Sequence, residues 1–514
     1  MSTDDTYDYV VVGGGSAGCV VARRLLDALD CRVLLLEAGG SGDRDDLRRT
    51  DVPTVTGLWG APDVVWPYRT TPQPGLDGRA IDIPQGRVLG GGSAVNALMY
   101  VRGNPYDFNH WAQRGNPGWS YADVLPYFRR AERYHGPAGE HRGMDGPLDV
   151  VDYADPSEAS QLFHAAAAEL GFAADGDYNG PDPEDRVFYY QSTRTPDNVR
   201  SSTAQGYLGP VRGHPRLTVL DRAKALDLVF SGDRAVGVRY ARDGAVRTVG
   251  ATAEILLACG AIGTPALLLR SGVGPADAVA DSGTRLRVEL PGVGGNLQDH
   301  LLLGVAYESL RPLPFPQLLS EAGLFTRTRP DTPTGAPDLQ FFFGPVQFVD
   351  EQYRTDGPGF TFAPILAQPQ SRGTVRLSPN DPYGLPVIDP SYLSDPADMQ
   401  VLVRGIELAR ELAGSAVFTP LRGRELAPGE KVDDREDLLR YVRANASTVW
   451  HPAGTTRMGV DRDAAVDPNL RVHGVLGLRV VDASVMPTIT AGNTNAAAIM
   501  IGEKAADLVA ADAR

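Results

Sequence analysis

The sequence predicts an α/β protein in which a dinucleotide-binding βαβ unit carries an inserted antiparallel-sheet domain. Three observations predict this fold. An apolar run breaks into Gly13-x-Gly15-x-x-Gly18 and continues with helical character. A stretch from about 306 to 450 has a different texture, rich in proline and phenylalanine. The C-terminus then returns to apolar strand and helix patterns.

The opening elements each have a physical task. Tyr9 to Val12 reads as a buried parallel strand, Cys19 to Leu29 as a helix, and Val33 to Leu36 as a second strand delivering Glu37 and Ala38. Gly13 permits the tight turn, Gly15 lets a pyrophosphate approach the backbone, and Gly18 lets helix and strand pack closely. Ser16 and Ala17, in the turn ahead of this helix, are assigned to the cofactor, and the helix N-terminus offers free N–H groups and a positive dipole end to the phosphates. Glu37 lies 19 residues beyond Gly18, the offset expected of a carboxylate accepting from a ribose diol. An acid at this position disfavours a 2′-phosphate and points to FAD or NAD over NADP.

Further along, residues 216–260 alternate as a β-meander: Leu217–Leu220, Ala235–Tyr240 and Ala253–Ala258, followed by a helix from Thr264 to Ser271. Leu339–Phe343 and Gly373–Leu377 read as strands, and Met399 to Leu412 as an amphipathic helix. Leu478 to Asp482 is a strand ending in an acid, and Asn495 to Ala510 is an apolar-faced helix.

At 514 residues the chain calls for two or more domains. A net charge of −15 without a basic cluster excludes a nucleic-acid-binding role. Cys19, Cys31 and Cys259 lack metal-ligand spacing and are expected as buried free thiols, with no metal site. No signal peptide or membrane-spanning run is recognised, so a cytoplasmic location is expected.

Several further blocks, together with the opening motif, resemble the glucose–methanol–choline (GMC) family of flavin oxidoreductases. They are Gly86-Arg-Val-Leu-Gly-Gly-Gly-Ser-Ala-Val-Asn96, Gly260-Ala-Ile-Gly-Thr-Pro, Pro291-Gly-Val-Gly-Gly-Asn-Leu-Gln-Asp-His300, Trp450-His-Pro-Ala-Gly-Thr-Thr-Arg-Met-Gly459 and Gly492-Asn-Thr-Asn495. The resemblance implies a Rossmann-like FAD-binding domain built from 1–155, 201–305 and 451–514, with a substrate domain from 156–200 and 306–450. It implies that Gly91, Ser93, Asn96, Ala97, Ala225 and Ala483 lie along the cofactor. Asp482 would bond its phosphate or ribityl region, or else cap a helix. Some family members bond flavin covalently through a histidine where this chain has Val95, so FAD is expected to be held non-covalently.

The resemblance also gives His451 and Asn495 as the catalytic pair. Alcohol oxidation requires loss of the hydroxyl proton and transfer of hydride from carbon to flavin N5, and an imidazole suits the proton. Trp450 either walls the substrate pocket or packs in the core, and Phe341 is assigned to the pocket. His300 sits in a family block but is grouped with the structural histidines. The expected substrate is a small alcohol, primary and aryl or otherwise apolar, with oxygen or another electron acceptor closing the cycle. Choline- or pyridoxine-type oxidation, hydroxynitrile cleavage and photodecarboxylation remain open.

Overall fold

The computed structural model describes residues 6–182, 185–329, 335–379 and 381–513. Thr6–Val12, Val33–Leu36 and Leu217–Leu220 form parallel neighbours in that spatial order, with the helix Ser16–Ala28 as the first crossover. On the other side of Thr6–Val12 lies the long strand Ala245–Leu257. Its C-terminal half pairs parallel to the opening strand and to Leu478–Val480, while its N-terminal half pairs antiparallel to Arg234–Arg242. Lys224–Ser231 completes the sheet. The meander therefore consists of 224–231, 234–242 and 245–257. Leu217–Leu220 does not belong to it, because that short strand continues the parallel layer beside Val33–Leu36. Val10, Val11 and Val33–Leu35 are fully buried, as expected for parallel strands covered on both faces.

The helix Gly260–Arg270 starts four residues before its expected first residue, directly on the turn that leaves strand Ala245–Leu257. The C-terminal helix Asn495–Asp512 lies against Ser16–Ala28 so closely that a Cβ on Gly502 would stand 2.9 Å from the Ala17 carbonyl oxygen. Between them the buried Glu503 carboxylate accepts from Arg24, Arg130 and Tyr207, which satisfies its charge. This docking carries the loop before Asn495 to the mouth of the glycine turn.

A second sheet is antiparallel, in the order 422–427, 305–309, 359–366, 339–344, 322–326, 186–189. The helices Glu158–Glu169 and Pro396–Gly414 share an apolar core with one of its faces, into which Phe341, Phe343, Phe360 and Phe362 project. Side chains alternate along a strand, so Phe342 and Ala363 point the other way, toward the nucleotide-binding sheet. Among the described residues no helix is long and apolar enough to cross a membrane, and no cluster of His, Cys, Asp or Glu suits a metal. All three cysteines are free.

Candidate active site

The glycine turn and the segment 86–96 form a cradle of bare backbone. A Cβ on Gly18 would lie 1.9 Å from the Gly13 carbonyl oxygen, so only glycine allows this helix to meet its strand. Gly91 has φ +50°, and a Cβ there would stand 2.6 Å from the Gly15 Cα. Ser16 ties the cradle together: its hydroxyl donates to Asn495 Oδ1 at 2.7 Å and accepts from the Ser93 N–H at 3.3 Å. No side chain caps the helix that begins at Ser16, which leaves its first-turn N–H groups for an anion.

A cavity of about 420 Å³ runs through this cradle. Gly13, Gly15, Ser16, Ala17, Glu37, Ala38 and Ala225 line one end. Gly91, Asn96, Ala97, Asp482 and Ala483 follow, Asn495 stands beside Ser16, and Trp450, His451 and Asn493 line the far end. Glu37 accepts from the Gly14 N–H at 2.9 Å with one carboxylate oxygen and from the Gly39 N–H at 2.7 Å with the other. Burial raises its pKa against those donors, and each oxygen keeps a lone pair for a ribose hydroxyl. The uncapped helix, the cradle and this acid fit an adenine dinucleotide such as FAD.

Two expected cofactor contacts are redirected. The Ser93 hydroxyl is buried, donating to the Gly90 carbonyl at 2.6 Å and accepting from the Thr203 N–H at 3.0 Å, so it braces the loop instead of reaching the cavity. The Asp482 carboxylate caps the short turn Ala483–Val485 and also accepts from Gly260 N–H and the Thr264 hydroxyl. With the N–H and hydroxyl of Ser484 its carboxylate accepts four bonds, so the capping role is present, while the residue also lines the cavity. Gly18 is likewise absent from the wall, its role being the helix–strand approach. Asn96 lines the wall but turns Oδ1 toward the Leu98 N–H and the Arg200 guanidinium.

At the far end His451 is held by a strained backbone. Trp450, immediately before it, has φ +63°, an uncommon conformation for a bulky residue. Its N–H donates to the Thr448 hydroxyl at 2.7 Å. The buried Asp299 carboxylate accepts the N–H of His451 at 2.8 Å and that of His300 at 3.0 Å on one oxygen, and the hydroxyls of Tyr392 and Thr448 on the other. Burial lifts Asp299 to about 6 despite these donors, and it lowers His451 to about 3, so the imidazole is neutral. Trp450 is half-buried, lines the cavity and packs edge-on against Trp59, which lines it too.

The structure corrects the partner of His451. Asn495 lines the cavity, but its side-chain oxygen is held by Ser16 at the glycine turn. Asn493 places its amide nitrogen 3.5 Å from His451 Nε2. Both asparagines belong to one Asn-Thr-Asn run; Asn495 begins the helix and Asn493 precedes it in a loop, so only their backbone directions separate them. Loop residue Ala491 donates its N–H to the buried Asp107 at 2.8 Å, which steadies the approach to Asn493. His300, also missed as a site residue, sets Nδ1 3.0 Å from His451 Nδ1. Its signal in the sequence was adjacency to Asp299 in a shared block.

Phe341 is corrected as well: it is fully buried among the helices, and Phe342 faces the cavity. Leu302, Val346, Phe348, Ala363 and Val449 complete that wall. The charged side chains on the cavity, Glu37, Lys224, Arg270 and Asp482, all come from the nucleotide-binding side. Among the described residues the antiparallel-sheet wall has none. Two of its hydroxyls are committed, Ser320 to the Ala322 carbonyl and Thr361 to the Val346 carbonyl.

The two-sheet α/β fold sets a nucleotide cradle against a histidine-bearing pocket. The chain belongs to the GMC oxidoreductase family, whose N-terminal model matches residues 7–302 and whose C-terminal model matches 369–502. It is 39% identical to an oxygen-dependent choline dehydrogenase of Paraburkholderia xenovorans, covering 98% of this chain and 94% of that protein. Pyridoxine 4-oxidase from Mesorbium loti superposes with a TM-score of 0.92 at 33% identity, covering 97% of this chain and 98% of that one. An FAD-dependent oxidoreductase from Chaetomium thermophilum gives 0.89 at 26% identity, covering 99% and 100%.

Proposed function

We propose that the protein oxidises a neutral, apolar primary alcohol to the aldehyde, with FAD held non-covalently in the glycine cradle and His451 accepting the hydroxyl proton. The observation that carries this reading is the placement of His451 on the cavity with Nε2 3.5 Å from the side-chain amide nitrogen of Asn493. FAD, when bound, supplies the acceptor for the hydride that leaves carbon. The protein's own part is positional. Asn493 donates toward the substrate oxygen without adding charge, His451 takes the proton, and the phenylalanine-lined wall excludes water. Gly13, Gly15, the helix N-terminus at Ser16 and Glu37 would hold the dinucleotide.

Two observations support non-covalent binding. Val95 lines the cavity and offers no nucleophile. The Cys259 thiol donates to the Val12 carbonyl and is pushed up to about 12 by burial, so it carries no thiolate. Acid denaturation should release all flavin into the supernatant.

The relatives favour choline as a second reading, yet the sheet wall offers no carboxylate to offset a buried quaternary ammonium. Choline and 3,3-dimethylbutan-1-ol have the same shape and differ in charge. Anaerobic flavin bleaching should show a second-order reduction rate constant for the neutral alcohol higher by about tenfold or more, a difference of roughly 1.4 kcal/mol. Preference for choline would replace the neutral-alcohol reading, and no bleaching by any alcohol, benzyl and furanic alcohols included, would overturn alcohol oxidation itself.

A further inference from the structure

We infer that His300 is a positioning residue that holds His451 as the Nδ1–H tautomer and so keeps the lone pair of His451 Nε2 facing the substrate. The inference rests on the reading of His451 as the proton acceptor and goes beyond it by assigning the second histidine a task.

The argument is a chain of obligatory donors and acceptors. His300 Nε2 lies 3.1 Å from the Ala367 carbonyl oxygen, which can only accept, so Nε2 carries hydrogen. His300 is fully enclosed and beside a second imidazole, and both effects keep it neutral. A neutral imidazole protonated at Nε2 has a bare Nδ1. That lone pair lies 3.0 Å from His451 Nδ1, with the rings nearly perpendicular at 88°. Two lone pairs do not face each other at this distance, so His451 Nδ1 is the donor. His451, itself neutral, is therefore bare at Nε2, the nitrogen that meets Asn493 and the cavity.

The geometry persists through proton transfer. When the alcohol proton moves to Nε2, the resulting imidazolium still donates Nδ1–H to His300, whose lone pair is oriented by the Ala367 carbonyl. His300 thus favours the correct tautomer before transfer and solvates the cation after it. Asp299 serves both rings at once, since one carboxylate oxygen accepts the backbone N–H of each. Gln368, next to Ala367, donates to Asp107, which also receives the Ala491 N–H; the carbonyl behind His300 and the loop before Asn493 share one anchor.

Loss of a buried hydrogen bond worth roughly 1–3 kcal/mol shifts a tautomer ratio by about 5- to 150-fold. His300→Leu should lower the rate of anaerobic flavin bleaching by up to that factor while the substrate concentration at half-maximal bleaching rate and the FAD content change little. His300→Asn, whose side-chain oxygen can accept near the Nδ1 position, should recover most of the rate. A merely structural role would not produce this pattern of kcat loss and recovery. The tautomer is read without turnover from long-range nitrogen–proton spectra of the 15N-histidine-labelled holoenzyme, with His451 assigned by its loss in His451→Gln. A bare Nε2 in the wild-type protein supports the inference; a protonated Nε2 overturns it. Wild-type bleaching by His300→Leu, when His451→Ala is inactive, overturns it too. Undiminished bleaching by His451→Ala instead sinks the proton-acceptor reading, and with it the inference.

Discussion

Replacing Asp299 with alanine removes the acceptor for four buried donors: the N–H groups of His300 and His451 and the hydroxyls of Tyr392 and Thr448. The hydroxyls can rotate, but the two amides are fixed by the chain. Orphaning them costs roughly 2–6 kcal/mol at about 1–3 kcal/mol each. Part is offset, because the carboxylate is itself disfavoured by burial, and its pKa of about 6 corresponds to roughly 3 kcal/mol at neutral pH. Net destabilisation is then at most a few kcal/mol, and the larger effect is on position. The left-handed Trp450 conformation, a strain of about 1–3 kcal/mol, is held by the bonds from its own N–H to Thr448 and from the His451 N–H to Asp299. With Asp299 gone that peptide relaxes and carries His451 with it, and a displacement near 1 Å costs on the order of 100-fold in rate. The assay is stopped-flow bleaching of the holoenzyme, with FAD content and thermal midpoint measured alongside. Asp299→Asn keeps an oxygen for both amides and should retain most of the rate. Wild-type bleaching by Asp299→Ala would refute the reasoning, as would equal losses in the two variants.

Asn493→Ala should slow bleaching by roughly 10²–10³-fold at unchanged FAD content, whereas Asn495→Ala should lower FAD occupancy by freeing Ser16; the flavin-to-protein absorbance ratio separates them. Phe342→Ala should shift the preferred alcohol toward larger members and change KM, while Phe341→Ala should destabilise by about 3–5 kcal/mol without altering that preference, as read by substrate profiles and denaturant melts. The folded pKa of His451, about 3, lies below its unfolded value of 6.5, so its contribution to stability is complete above pH 6.5 and declines as pH falls toward 3. His451→Gln should therefore gain on the wild type by up to about 1.4 kcal/mol per pH unit on acidification below that point, and a constant difference between roughly pH 7.5 and 5 would contradict the assignment.

The amino-acid sequence by itself determined the nucleotide cradle, because the demands there are local. Gly13 and Gly18 sit where any Cβ would strike backbone, and Glu37 ends a strand whose register follows from an unbroken apolar run. His451 was legible for the same reason, through neighbours contiguous in the chain. The tertiary structure decided everything that depends on direction between distant segments. One strand's alternation turned Phe342 to the cavity and Phe341 to the helices, although the triplet of phenylalanines reads alike on both faces. Docking of the C-terminal helix on the first helix gave Asn495 to Ser16 and left Asn493 to His451. The meeting of His300 with His451, 151 positions apart, arises because Asp299 gathers both backbones, and no local period or propensity encodes a contact made by three segments folding onto one carboxylate.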